Sequence, residues 1–106
     1  MIVTTTEKIE GREIVRVLGL VRGNTIRARH IGKDIMAGLR GVVGGEVSEY
    51  TKLFAESREQ SIDRMVQEAE ELGADAVVAM RFATSMVMSS AAELLAYGTA
   101  VVLKDH

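Results

Sequence analysis

The sequence predicts an α+β domain in which helices cover one face of an antiparallel sheet. Three observations point there. The stretch Ala91–Leu103 is apolar on both alternating faces of a strand, with Leu95, Tyr97, Thr99, Val101 and Leu103 on one side and Leu94, Ala96, Gly98, Ala100 and Val102 on the other. A helical stripe runs through residues 48–72. The periods follow the order strand, strand, helix, long helix, strand, strand, which groups the strands in pairs rather than alternating them with helices. A small antiparallel sheet normally keeps one face in water, so a final strand without a polar face needs a second covering layer. A chain of 106 residues is not expected to supply all of that cover itself, and an obligate oligomer follows as an expectation.

Taken in order, residues 1–4 read as a short strand, and Ile9-Glu10-Gly11-Arg12 as a turn before a second strand over 13–21. That strand places Val15, Val17, Gly19 and Val21 on one face and Ile14, Arg16, Leu18 and Leu20 on the other. Arg22-Gly23-Asn24 has turn chemistry, after which the strand can resume over 25–28. From Lys33 the spacing becomes helical: Ile35, Met36, Leu39, Val42 and Val43 make one stripe of a short helix, which Gly44-Gly45 ends. Gly38 and Gly41 weaken that helix, as backbone entropy disfavours glycine there, and imply close approach of another backbone.

The long helix carries Leu53, Phe54, Ser57, Ser61, Ile62, Met65, Ala69 and Leu72 on its apolar side, with Lys52, Glu56, Glu59, Asp63, Glu68 and Glu70 mostly outside it. Ser48 suits an N-cap and Gly73 a C′ position. Residues 75–88 return to strand composition, and Ser89-Ser90 leads through a short connection into the last strand, which makes the final pair a hairpin. All of this forms one domain over residues 1–106, without a linker-like shift in composition.

Composition narrows the function classes. Hydrophobic residues are 47% but aromatics only 4%, with no Trp, so the core is built from Val, Ala, Leu, Ile and Met. The absence of Cys removes disulfides, thiolate metal sites and a thiol nucleophile, and fits a reducing cytoplasm. No run approaches the roughly 18 apolar residues of a membrane span, so no membrane role is expected. There is no G-x-S-x-G elbow, P-loop or H-E-x-x-H motif, so an enzyme is not expected. The net charge of −2 and the scarcity of aromatics for base stacking weigh against nucleic acid as a partner.

The segments that remain resemble a known family. Thr4-Thr5, Glu10-Gly11-Arg12-Glu13-Ile14, Gly32-Lys33-Asp34-Ile35 with Gly38-Leu39-Arg40, and Gly44-Gly45-Glu46 with Tyr50 are similar to the YbjQ-like family of uncharacterised prokaryotic proteins. So are Arg58-Glu59, Leu72-Gly73-Ala74-Asp75-Ala76-Val77-Val78 and Tyr97-Gly98-Thr99-Ala100-Val101. The resemblance spans nearly the whole chain, and it is the joint occurrence of these segments in order that is specific. It implies a dodecin-like β-α-β-β subunit in a cyclic homopentamer, under the label "putative heavy-metal-binding". It supplies no catalytic or ligand set. The chain departs from many relatives at Asp75, where Asn is frequent, and near Ser89-Ser90, where glycine is more common.

For a metal ion the candidates are His30, and Glu59 with Asp63 one helical turn apart, a spacing that suits a hard cation. An ordinary surface histidine and solvated carboxylates account for the same residues, and His106 ends the sequence. Met80, Met86 and Met88 share a strand parity, for which core packing is the better account than a thioether row.

Charge is polarised along the chain. Arg22, Arg27, Arg29, Lys33 and Arg40 face only Asp34 across residues 22–40, while residues 46–75 hold nine acids against Lys52, Arg58 and Arg64. Either the basic segment of one subunit meets the acidic helix of the next, which is favoured, or Arg27 and Arg29 form an anion site. Arg81, lone among apolar neighbours and expected part-buried, calls for a carboxylate such as Glu46, Glu49, Glu59 or Glu93, in this subunit or the next, and is grouped with Arg27 and Arg29 as an anion-binding or interface residue. Tyr97, Leu95 and Val101 are expected at a subunit interface. The function expected is a ring protein that holds a small ligand or metal ion at subunit junctions or on its axis; the alternative is a structural or protein-interaction module without a ligand.

Overall fold

A computed structural model describes residues 1–27, 48–88 and 91–105. It contains β1 (Ile2–Val3), β2 (Ile14–Arg27), α1 (Ser48–Glu71), β3 (Ala76–Met88) and β4 (Ala91–Leu103). These form a four-stranded sheet in the order β1-β3-β4-β2 with α1 across it. The α+β class is as expected. The short helix expected over 35–43 and the Gly44-Gly45 break lie outside the described residues.

The sheet is mixed rather than antiparallel, which corrects the sequence reading. β2 and β3 both run antiparallel to β4, but β1 pairs parallel to β3, Ile2 opposite Ala76 and Val3 opposite Val77. β1 enters from the far end of the chain, so no tight turn dictates its direction, and parallel pairing is open to it. The chain after it stays on the β3 edge: Ala79 N donates to Thr6 O at 2.8 Å and Met80 N to Thr4 O at 3.0 Å.

The turn expected at Arg22-Gly23-Asn24 is also corrected, because β2 runs unbroken through it for 14 residues. Gly23 serves packing here, as it brings β2 against the backbone of α1. The simple alternation expected along β2 fails for a different reason. Register shifts between Ile14 and Arg16 and between Val17 and Gly19 mark bulges, and an extra residue changes which face its neighbours occupy. Gly19 has φ 124°, a conformation side chains resist. Val21 is consequently buried under α1, while Val15 and Val17 stay exposed.

A third irregularity sits between Val78 and Arg81, where Ala79 takes φ 54°. Met80 thereby joins Val77 in the core beneath α1. Met86 is 69% exposed, so packing accounts for Met80 but not for Met86.

α1 buries Ser57, Ser61, Met65 and Ala69, the middle of the expected stripe, whereas Phe54 and Leu72 at its ends are exposed. Its C-terminus is a Schellman motif: Gly73 at φ 83° donates to Glu70 O at 3.0 Å, and Ala74 N to Ala69 O at 3.0 Å. The main core lies between α1 and the sheet, from Val21, Met65, Ala69, Val77, Met80, Ala96 and Ala100. A smaller cluster of Ala76, Val78, Val101 and Leu103 occupies one end of the opposite face, covered by Ile9 and Ile14. Beyond that end the face opposite α1 carries exposed side chains.

Candidate functional site

The pairing register places the groups of this open face in cross-strand rows. Alternation puts Leu20, Arg22, Asn24 and Ile26 of β2 opposite to the buried Val21, Gly23 and Thr25. Across β4 and β3 the rows read Leu20, Thr99, Val78; then Arg22, Tyr97, Arg81; then Asn24, Leu95, Ala83; then Ile26, Glu93, Ser85. Directly opposed side chains on one face lie about 5 Å apart at Cβ, so each row is a contiguous surface unit.

Two rows carry chemistry. Glu93 is held from both sides: Asn24 Nδ2 donates to its Oε2 at 3.0 Å and Ser85 Oγ to its Oε1 at 3.5 Å. Two cations flank Tyr97 in the other. Arg22 and Arg81 are exposed, Tyr97 is half-buried, and neither arginine has a carboxylate partner among the described residues. Around them Val17, Leu20 and Ile26 are 65%, 61% and 56% exposed, an unusual apolar content for a solvated face.

Arg81 corrects an expectation. It is exposed rather than part-buried, its Nη1 donates to the carbonyls of Thr5 and Met80, both at 2.8 Å, and no carboxylate pairs with it among the described residues, which do not include Glu46. The bulge at Ala79 turns it out of the core, and the segment after β1 supplies the acceptors. Leu95 and Tyr97 lie half-buried on the open face, but Val101 is only 1% exposed and belongs to the smaller cluster of the chain itself. Its place in an interface is corrected accordingly, because Ile9 and Ile14 already cover it. Arg27 ends β2 opposite Ala92, and Arg29 and His30 lie outside the described residues.

Glu59 and Asp63 are both exposed on α1, and no group of three His, Cys, Asp or Glu side chains able to hold a metal comes together among the described residues. Soft metals select thiolate, thioether or imidazole ligands, so two solvated carboxylates do not make a heavy-metal site. The described residues of one chain do not fit that ion. Nor is any helix among them long and apolar enough to cross a membrane.

Arg22 is the site residue that sequence reasoning missed. Its place in a basic run and beside Gly23-Asn24 points to a charged turn, while the signal that finds it is the alternation Leu20, Arg22, Asn24, Ile26 read against Tyr97 in register.

Comparison with known proteins gives consistent matches. The YbjQ family model, described as "putative heavy-metal-binding", matches residues 1–104. A UPF0145 protein of Methanosarcina acetivorans is 63% identical over the full length of both chains, and one of Archaeoglobus fulgidus is 57% identical over 98% of this chain and 96% of its own. Among solved structures, a DUF74 family protein from Pediococcus pentosaceus superimposes with TM-score 0.65 at 15% identity, covering 98% of each chain, which shows the same fold.

Proposed function

Because the chain belongs to the YbjQ family, described as "putative heavy-metal-binding", we propose that it works as a subunit of a closed homo-oligomeric ring, a pentamer. The ring holds a small ligand or ion where subunits meet or along its axis, without catalysing a reaction. One observation carries the proposal: among the described residues, both edges of a single sheet are left open. β2 lies at one edge along its whole length, and β3 at the other is covered only as far as Met80. Long open edges are aggregation hazards unless something pairs with them, and residues 82–88 of β3 carry no charge or proline to discourage pairing.

The two edges differ, so joining one to the other is a head-to-tail contact, which closes into a ring when the rotation fits. β2 and β3 run in the same direction, since both are antiparallel to β4, and a rotation about an axis along the strands preserves that direction. The edge of β2 would then meet the β3 edge of the next copy as a parallel pair. The same step brings this copy's α1, which lies mainly over β2, toward Phe82 and Met86 of the next copy, exposed at 41% and 69%. The shape agrees: a Cα radius of gyration of 17.1 Å exceeds the roughly 13 Å of a compact domain of this length.

A native mass spectrum of untagged protein prepared without added metal tests this. A pentamer with reproducible extra mass supports both the ring and its ligand. An empty pentamer supports the ring and moves weight to a structural module, and a monomer overturns the ring.

A further inference from the structure

We propose that the row Arg22, Tyr97, Arg81 is a binding site for a phosphate-class oxyanion. This deepens the ligand half of the proposed function, but its three residues come from one chain and do not need the ring. The register sets Arg22 and Arg81 on either side of Tyr97, on the face that α1 leaves open. Their Cβ atoms are thus about 10 Å apart, within the span two arginine side chains close around one tetrahedral anion.

The donors are free for it. The guanidinium of Arg22 and the hydroxyl of Tyr97 have no hydrogen-bond or ion-pair partner among the described residues. Arg81 is held through Nη1 to the Thr5 and Met80 carbonyls, which leaves Nε and Nη2. Tethering one arginine by backbone carbonyls keeps its charge and limits the entropy lost when it binds. Glu93, the acid on the same face, is four residues from Tyr97 along β4 and engaged by Asn24 and Ser85, so it does not neutralise the pair. Two planar forks and a phenol match the acceptor-rich surface of a phosphate better than a cation or an apolar ligand.

Calorimetric titration of the purified protein with inorganic phosphate, at constant ionic strength in chloride, tests the site. The expected result is saturable binding of one phosphate per chain with Kd below about 1 mM, weakened at least about tenfold in R22Q and in R81Q. In R22K, which keeps the charge but loses the fork, about half of that loss on a logarithmic scale is expected. Y97F is expected to weaken binding about threefold, the loss of one neutral hydrogen bond. Absence of saturable binding overturns the proposal, and so does binding that R22Q and R81Q leave unchanged. Native mass spectra of the same samples separate this from the ring: phosphate bound to a monomer upholds the site and overturns the ring, and a pentamer that ignores phosphate does the reverse. Titration with a nucleoside monophosphate distinguishes sources, since tighter binding than inorganic phosphate assigns the anion to a larger ligand.

Discussion

Gly23 of β2 lies directly beneath the Ser61 carbonyl of α1, so that a Cβ at Gly23 would collide with that oxygen and with the Met65 nitrogen. Both atoms are helix backbone and cannot step aside singly. Gly23→Ala therefore has to lift the helix or bend the strand, at a cost of about 3 kcal/mol. The matching change at Gly98 meets the Val77 Cγ1 methyl at 2.6 Å and the Val78 carbonyl at 3.1 Å. A side-chain methyl gives way more easily, so Gly98→Ala is expected to cost less, about 1–2 kcal/mol. Urea denaturation of both variants checks the order.

Ser61 is fully buried and does polar work inside an apolar layer. Its Oγ donates to the Leu94 carbonyl at 3.2 Å and lies 3.3 Å from the hydroxyl of Thr25, also buried. Ser61→Ala leaves the Thr25 hydroxyl without this partner and is expected to cost about 1–2 kcal/mol. Thr25→Val combined with Ser61→Ala removes both hydroxyls together, and the double variant is expected to be less destabilised than the sum of the singles. Thermal unfolding across the double-mutant cycle reads that coupling.

What the sequence made legible was whatever depends on local chemistry. The Schellman end at Gly73 is visible because only glycine takes its φ cheaply, and the buried stripe of α1 follows from spacing alone. The faces of β2 and β3 were not legible, since bulges at Ile14/Arg16, Val17/Gly19 and Val78/Arg81 each reset the alternation. Nothing in Ala79 announces a positive φ; it is fixed by the pairing around it. The same limit hid the candidate site, because Arg22, Arg81 and Tyr97 span 75 positions of the chain and become neighbours only through register. The two open edges are likewise a property of strand order, which periodicity does not encode.

Asp75 joins the start of β3 to the end of β4. Its Oδ2 accepts from Leu103 N at 2.9 Å, while its own N–H donates to the Val101 carbonyl at 2.9 Å. Asp75→Ala strands the Leu103 donor in a part-buried position and is expected to cost about 1–2 kcal/mol. Asp75→Asn keeps a carbonyl oxygen at the same place and should stay within about 0.5 kcal/mol of the parent. Equal losses in the two variants, measured by urea denaturation, would assign the contribution of Asp75 to its charge instead of its hydrogen bond.

Leu20 is 61% exposed at the centre of β2 and faces away from α1. Leu20 sits on the edge strand that the proposed ring pairs with the next copy's β3, so Leu20→Glu places a carboxylate beside that seam, and the assembly is expected to fall to monomers. The fold should survive, because Leu20 lies outside both core clusters. Far-UV circular dichroism is expected to be unchanged while the sedimentation coefficient drops. Salt separates the forces involved. β2 holds Arg16, Arg22 and Arg27 and no acid, whereas α1 holds seven acids against three bases. Raising ionic strength from about 0.1 M to 1 M shortens the screening length from about 10 Å to 3 Å. A contact of the β2 arginines with the next copy's α1 loosens under that change, whereas pairing of the β2 edge with the uncharged residues 82–88 of β3 does not. Sedimentation velocity at the two salt concentrations is expected to show the same oligomer in the parent protein, and loosening at high salt would assign the contact to α1 acids against β2 arginines instead.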